Sequence, residues 1–514
     1  MRKFNIAGVC IPDKHYMVDI SNTISKAEHL IDDGEYFTIN RARQYGKTTT
    51  MFMVQKKIQH RYDVIATSFE GLGSDIFKEE RNFSGTVLEV FAKDIRFTNK
   101  KLSDKINKMN KNITTIEKLS SVITDICYEN DKKIVLMIDE VDKSSDNQTF
   151  LHFLGMLRNK FLNRNMERDY TFHSVILAGV YDVKNLKLKL AQDEEKKYNS
   201  PWNIAVDFKA NMSFNPKEIS SMLEEYEKDY KTGMDIQLLS KELYYYTSGY
   251  PFLVSKLCKL IDEDLGKNWT VQGIQESVKL ILKQKNTLFD DVMKNLENNK
   301  ELYDSIYAQL ILGHEYTFNI DNPIDQLGYM YGIFREQDNT RIIHNKIFEQ
   351  RIYEYMAAKL EQRENLTPYS YKNNFIDLNG DLDVKVLLDK FQQMMKEEYS
   401  NKDKEFLERE GRLLFMAFLR PVINGVGFAL KEVQISQEQR LDIVITYNNK
   451  KYVVELKKWY GEKYHQKGLD QLDKYLDNQG LKEGYLIIFN FNQNKEYINK
   501  YEGINNKQIY QVIV

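Results

Sequence analysis

The sequence predicts an α/β protein in two parts. The first is a doubly wound parallel sheet with a helical, winged-helix-like lid; the second is a smaller domain in the order αβββαβ. Three observations carry this. An apolar stretch at 36–40 runs into Arg41-Ala42-Arg43-Gln44-Tyr45-Gly46-Lys47-Thr48-Thr49, and a helical pattern follows from Met51. A continuous apolar run, Ile134-Val135-Leu136-Met137-Ile138, ends in Asp139-Glu140. Far downstream, Asp442 lies inside one apolar strand pattern and Glu455-Leu456-Lys457 inside the next.

Taken in order, residues 1–60 read as a short leader, a polar helix over 21–33, a strand over 36–40, the loop, and a helix to about 60. Residues 61–130 alternate short apolar strands, such as 64–69, with Lys-rich helical stretches. The run at 134–138 reads as a strand buried on both faces, as in a parallel sheet. A helix over 147–161 and another apolar run, 174–180, follow. Strand, loop, helix, acidic strand, helix, strand is the doubly wound plan, whose ligands bind at the C-terminal strand ends.

The charged stretch 187–200 is expected to be an exposed loop, and 200–208 returns to a strand. From 215 to about 263 the pattern is helical, broken at Ser248-Gly249-Tyr250-Pro251. Residues 300–360 suggest helices, a hairpin and a closing helix over 346–359. In the hairpin, 329–334 and 341–344 flank the turn 336–339. The polar stretch 361–380 is the best boundary. The expected domains are therefore 1–210 (core), 211–362 (lid and winged-helix-like region), 363–384 (linker) and 385–514. The last domain reads as a helix over 402–419, strands over 427–435, 440–447 and 451–457, a helix over 464–477 and a strand over 485–489.

Composition narrows the function classes. A length of 514 residues fits two to four domains. The formal net charge is only −2, so any nucleic-acid contact must be a local patch. Cys10, Cys127 and Cys258 are widely spaced and odd in number, which fits a reducing cytoplasm better than a disulfide framework. The N-terminus lacks a signal-peptide core and no apolar run approaches membrane-spanning length, so no membrane association is expected.

The loop has the layout of a phosphate cradle. Backbone N–H groups of residues 43–49 at a helix N-terminus can surround an anion, and the helix dipole adds positive potential. Lys47 would reach the β/γ-phosphates, and Thr48 would hold Mg²⁺ through its hydroxyl. Asp139 would support that metal, and Glu140 would polarise the attacking water. The position where a glycine is usual holds Arg41. Downstream, the period-two alternation of a strand places Glu455 and Lys457 on one face, with Asp442 on the neighbouring strand. Two carboxylates and the Leu456 carbonyl are hard oxygen ligands for Mg²⁺ or Mn²⁺, and Lys457 can activate water or stabilise a phosphate. Charges inside buried strands are rare unless paired or functional.

Two resemblances follow from these motifs. Residues 385–514 resemble the PD-(D/E)xK nuclease superfamily, a restriction-endonuclease-like fold. That resemblance gives Asp442, Glu455 and Lys457 the catalytic positions. It matches Gln471 and Tyr475 to a Q-x-x-x-Y feature, with Gln471 near the metal or scissile phosphate, and gives Glu408 or Glu410 an auxiliary acid role. Arg440 matches the Gly-Arg pair that related sequences often show there; Gln439 departs from it. Residues 12–360 resemble the AAA-ATPase-like family found fused to such nucleases in bacteria, whose loop usually reads Arg-Pro-Arg-Arg-Phe-Gly-Lys-Ser. Arg41 is thus a family trait, and Gly249-Tyr250-Pro251 is similar to the start of a lid helix. Ala178 offers no polar group at the sensor position. Arg158, Arg164 and Arg168 are the candidates for an arginine finger.

The resemblance implies an ATP-binding, Mg²⁺-dependent deoxyribonuclease gated by its ATPase, acting in defence or DNA maintenance. DNA is the expected partner, and a homo-oligomer is left open. The alternative is a regulatory ATPase switch whose C-terminal domain binds nucleic acid or a partner without cutting. A third reading has the ATPase half binding nucleotide without turnover. His152, His173, His344 and His465 lack metal spacing, the Tyr244-Tyr245-Tyr246 cluster reads as core, and the Lys-rich 96–113 reads as a solvated helix face. Trp459-Tyr460-Gly461 could form a loop beside the substrate.

Overall fold

The computed structural model describes residues 2–141, 147–180, 202–310, 314, 316–364, 375–377, 379–398, 411, 414–416, 418–419, 422, 428–432, 442–447, 450–492 and 495–514. The expected loop at 187–200, most of the expected helix at 402–419, Gln439, Arg440, Glu408 and Glu410 lie outside them. The chain forms two compact units, Met1–Ser277 with Gly328–Gly332, and Val278–Leu327 with Ile333–Val514.

The first unit is built on strands β1 (Tyr36–Asn40), β2 (Asp63–Ser68), β3 (Ile134–Asp139), β4 (Ser174–Gly179) and β5 (Val206–Asp207). Their order is β2-β3-β4-β1-β5, and every pairing is parallel. All six residues of β3 and all six of β4 are buried, which explains their unbroken apolar sequences. Helices α1 (Ser21–Asp32), α2 (Lys47–Ile58), α3 (Glu80–Ile95), α4 (Lys100–Met109), α5 (Ile116–Glu129) and α6 (Gln148–Asn165) connect and cover the strands. Phe69, Phe83, Phe150 and Phe153 interlock at ring distances of 5.5 to 6.4 Å in the core over β2 and β3. Burial of each stabilises the unit by roughly 1.5–3 kcal/mol.

After β5 come α7 (Pro216–Tyr230), α8 (Ile236–Thr247), α9 (Pro251–Glu263) and α10 (Val271–Lys283). Asn215 and Glu218 form a reciprocal cap at the start of α7, and the break before α9 is the Gly-Tyr-Pro signal.

The leader of the sequence reading is a packed strap. Arg2 pairs with Glu225 and Asp229 at 2.8 and 3.0 Å. The Tyr16 hydroxyl donates to Asp229 at 2.8 Å, and Phe4 stacks on Tyr226. Between 61 and 130 the chain makes one strand and three α-helices rather than several strands.

In the second unit, α11 (Thr287–Asn298), α12 (Lys300–Leu310) and α13 (Pro323–Met330, whose last residues belong to the first unit) precede a hairpin of β6 (Phe334–Gln337) and β7 (Thr340–Ile343). The hairpin starts later than read: Tyr329 and Met330 end α13. Asp338 and Asn339 have φ of 50° and 61°, the paired positive angles of a tight hairpin turn. Arg341 is buried, pairs with Asp325 at 2.9 Å and lies over the Tyr316 ring at 4.0 Å. Helix α14 (Lys346–Glu364) closes this region.

A six-stranded sheet follows, ordered β12-β13-β11-β10-β9-β8. Its members are β8 (Phe428–Glu432), β9 (Asp442–Tyr447), β10 (Lys450–Lys458), β11 (Glu483–Phe489), β12 (Asn499–Ile504) and β13 (Lys507–Ile513). The meander β8–β9–β10 is antiparallel, whereas β11 runs parallel to β10. Helix α15 (Val384–Glu398) and helix α16 (Glu462–Gln479) complete it. The sequence reading missed three of these elements: α15 and the hairpin β12–β13, which adds two strands beyond the expected αβββαβ.

Candidate functional site

The first site is the loop between β1 and α2. Strand β1 carries it to the C-terminal edge of the sheet, at the point where the strand order reverses between β4 and β5. Gly46 has φ of +81° with open space around its missing Cβ, so the backbone angle requires glycine there, not the packing. Gln44 is also left-handed, with φ of 56°. Lys47 is buried, and its ammonium donates to the carbonyls of Arg41 and Ala42, both at 3.0 Å. The Lys47 charge is therefore folded back over its own loop.

Arg41 has a structural task. It donates to the Asn40 carbonyl at 2.7 Å and to the Ala210 carbonyl at 2.8 Å. Its backbone N–H meets the Gly179 carbonyl at 3.2 Å. The off-pattern residue thus ties the loop to β4 and to the segment after β5.

Strand β4 separates β1 from β3, yet their ends meet. The Thr48 hydroxyl donates to Asp139 Oδ2 at 2.6 Å, and Asp139 Oδ1 accepts from the Glu140 N–H at 2.9 Å. Glu140 is partly exposed and left-handed, with φ of 57°, a conformation that persists only where the surroundings fix it. Thr48 and Asp139 are a hydroxyl and a carboxylate on one spot, the hard-oxygen set that suits Mg²⁺. Arg43 is exposed and Tyr45 is buried. Thr49 faces elsewhere: its hydroxyl accepts from the Cys10 N–H of the strap at 3.1 Å. Arg164 serves the opposite edge of the sheet, donating to the carbonyls of Gly34, Phe172 and His173.

The second site lies on β10. Glu455 is 2% exposed, and its Oε1 is 2.6 Å from the Lys457 ammonium. Lys457 also donates to Gln471 Oε1 at 2.8 Å, from α16. The stem of Lys457 runs beneath Gly468, where an added Cβ would meet Lys457 Cε and Cγ at 3.4 Å. Tyr475, one turn beyond Gln471, is buried in the core between α16 and the sheet. Hence three of the expected residues, Glu455, Lys457 and Gln471, form one connected chain.

Position 442 begins β9. The register pairs Val454 with Ile443, so one further step sets position 442 opposite Glu455. The Asp442 side chain lies outside the described residues. Glu455, position 442 and the Leu456 carbonyl fit a hard divalent cation by donor chemistry. Among the described residues, no group of three His, Cys, Asp or Glu side chains could hold a metal ion. No described helix is long and apolar enough to cross a membrane.

Sequence reasoning named Tyr250 in a lid-helix start and His465 as lacking metal spacing, but gave neither its contact. The Tyr250 hydroxyl donates to the Arg43 carbonyl at 2.6 Å. His465 Nε2 is 2.7 Å from Gln511 Oε1, and its ring lies 5.7 Å from Trp459. Both contacts are long-range, and no local spacing signals them.

A profile of the AAA-like domain family matches residues 13–354. One of the PD-(D/E)XK nuclease superfamily matches residues 424–501. No curated protein matches the chain. Among solved structures, the Walker-type ATPase of Pyrococcus abyssi is similar at 13% identity and TM-score 0.44, covering 68% of this chain and 99% of its own. The Aeropyrum pernix ORC2 protein, solved with ADPNP and ADP, shows 10% identity and TM-score 0.38 over 70% of this chain and 98% of its own. The Aeropyrum pernix ORC1 protein, in complex with DNA, shows 10% identity and TM-score 0.31 over 67% and 94%. With two thirds of its length inside one family, the chain belongs to the AAA-like domain family, and it carries a PD-(D/E)XK nuclease superfamily domain after that region.

Proposed function

We propose that this protein binds ATP at the 43–49 loop and hydrolyses phosphodiester bonds of DNA, with Mg²⁺ or Mn²⁺, at the end of β10. The ATPase region would gate or position that cleavage. The observation that carries the reading is the connected chain Glu455–Lys457–Gln471, a buried pair on β10 joined to α16, inside a matched nuclease domain. A carboxylate 2% exposed and an ammonium on the same strand face are costly to bury unless the pair serves a purpose.

The residues divide the work. Asp442, Glu455 and the Leu456 carbonyl would hold the cation, which supplies charge neutralisation at phosphate and a more acidic water. Lys457, held by Glu455 and Gln471 through two of its three ammonium protons, would offer the third to the place where phosphate charge develops. In the other unit, Thr48 and Asp139 would hold the cation that accompanies nucleotide. Lys47 would leave the Arg41 and Ala42 carbonyls for the β/γ-phosphates, and Glu140 would orient water. The family match, the 2.6 Å Thr48–Asp139 bond and the left-handed Glu140 support this half of the reading.

The test is cleavage of linear, circular and single-stranded DNA with Mg²⁺, with and without ATP. Lys457→Ala should abolish cutting and leave ATP binding intact, whereas Lys47→Ala should remove the ATP effect. Unimpaired cutting by Lys457→Ala would overturn the assignment. DNA binding that ignores Mg²⁺, without cutting, would favour a regulatory switch instead.

A further inference from the structure

Tyr250 reaches the phosphate loop from outside it. Its hydroxyl donates to the main-chain carbonyl of Arg43 at 2.6 Å, and the residue is fully buried. Its ring meets Tyr45 edge-on at 4.6 Å, and the Tyr45 hydroxyl shares a 2.5 Å hydrogen bond with Ser213.

The backbone that carries Tyr250 is fixed on both sides. Pro251 opens α9 with its φ locked by the ring. Gly249 has φ of +73°, and a Cβ there would lie 1.8 Å from the Phe214 carbonyl oxygen. Phe214 N–H in turn donates to the Gly249 carbonyl at 2.9 Å. Neither end of the Gly-Tyr-Pro segment can shift without breaking packing, so the tyrosine hydroxyl is delivered to a set place.

The accepting carbonyl matters chemically. It belongs to the Arg43–Gln44 peptide, so holding that oxygen also fixes the direction of the Gln44 N–H. Gln44 is left-handed and has a Cβ, a conformation that costs energy and relaxes unless restrained. Gln44 and Gly46, both at positive φ, curl the backbone so that successive N–H groups turn to one side, as in an anion nest.

We propose that Tyr250 is a positioning residue for nucleotide phosphates. It holds the Arg43–Gln44 peptide with its N–H turned toward the anion, so that the loop is organised before ligand arrives. This rests on the reading of the 43–49 loop as a nucleotide site. Because the effect passes through the phosphate cradle, it favours ligands with a β-phosphate over those without.

Tyr250→Phe keeps the ring and removes the donor. Titration calorimetry with ADP, and AMP measured by competition, would compare the variant with wild type. The expected result is ADP binding weakened about three- to tenfold, the range for losing one neutral hydrogen bond, with AMP affinity unchanged. A merely structural tyrosine would weaken ADP and AMP by the same factor, or neither, and either result overturns the proposal. If the wild type binds no ADP, the nucleotide reading itself fails. If it binds ADP and Tyr250→Phe binds equally well, only the role of Tyr250 fails.

Discussion

Lys457→Met removes the ammonium of the β10 site while keeping a stem of similar length beneath Gly468. Glu455 and Lys457 side chains are 2% and 10% exposed and 2.6 Å apart. Without its partner, the Glu455 carboxylate is left buried beside an apolar residue. Breaking a buried pair from one side costs about 3–5 kcal/mol, and the slight exposure of Lys457 argues for the lower end, about 3 kcal/mol. At roughly 2–4 °C per kcal/mol for a unit of this size, the melt should fall by roughly 6–12 °C. Glu455→Gln should cost less, because the ammonium it leaves behind is 10% exposed and keeps its hydrogen bond to Gln471. The double variant should recover much of the loss, giving a coupling of about 2 kcal/mol in a double-mutant cycle. Thermal melts, with hydrogen exchange of β10 amides, would read all four proteins. A Lys457→Met melt within about 1 °C of wild type, or a double variant less stable than either single, would refute the buried-pair reasoning.

Three further outcomes are expected. Thr48→Val keeps shape and removes the hydroxyl that meets Asp139, so Mg²⁺-dependent tightening of nucleotide binding should fall by about tenfold or more while Mg²⁺-free binding changes little, as read by titration with and without EDTA. Gly46→Ala and Gly249→Ala share a left-handed angle but differ in space, so the first should cost about 1–2 kcal/mol and the second several more, because only the second drives a Cβ into the Phe214 carbonyl; equal losses in urea melts would contradict that contrast. Burial, with Lys133 and Arg164 nearby, pushes the His173 imidazole down to about 4, and burial near Arg335 pushes His344 down to about 3. Both stay neutral when folded and charge when unfolded, so their contribution is present above about pH 6.5 and is lost as pH falls toward 4; His173→Asn should flatten part of that acid slope in melts between pH 4 and 7.

Much of the frame could be read in advance because it is written locally. Strands β3 and β4 are buried at every position, and that condition alone writes an unbroken apolar run. The break before α9 is written by Gly249 and Pro251. Strands β12 and β13 carry a local signal too: Asn505 and Asn506, at φ of 45° and 64°, form a hairpin turn that is followed on β13 by the apolar pairs Ile509-Tyr510 and Val512-Ile513. Helix α15 likewise had one, in the helical spacing of Leu387, Leu388, Phe391, Met394 and Met395, all buried. The strap at 2–18 carries no such local signal: Tyr226, the partner of Phe4 and Tyr16, lies more than two hundred positions away.

The two sites divide along the same line. A charged residue inside an apolar strand is a local contradiction, and Asp139, Glu455 and Lys457 were found by it. Their burial in the folded protein shows that the contradiction is real: Glu455 and Asp139 are 2% and 7% exposed, and each has a partner. What holds those residues in place carries no such contradiction. Gln471 sits on an ordinary amphipathic helix, Arg41 in a polar loop, and Tyr250 between two helix-breaking residues. Each reaches a partner that local spacing does not point to, at Lys457, Ala210 and Arg43. Charged side chains buried against their surroundings are therefore visible one residue at a time. Those that position them obey every local rule, and only the fold brings them to their targets.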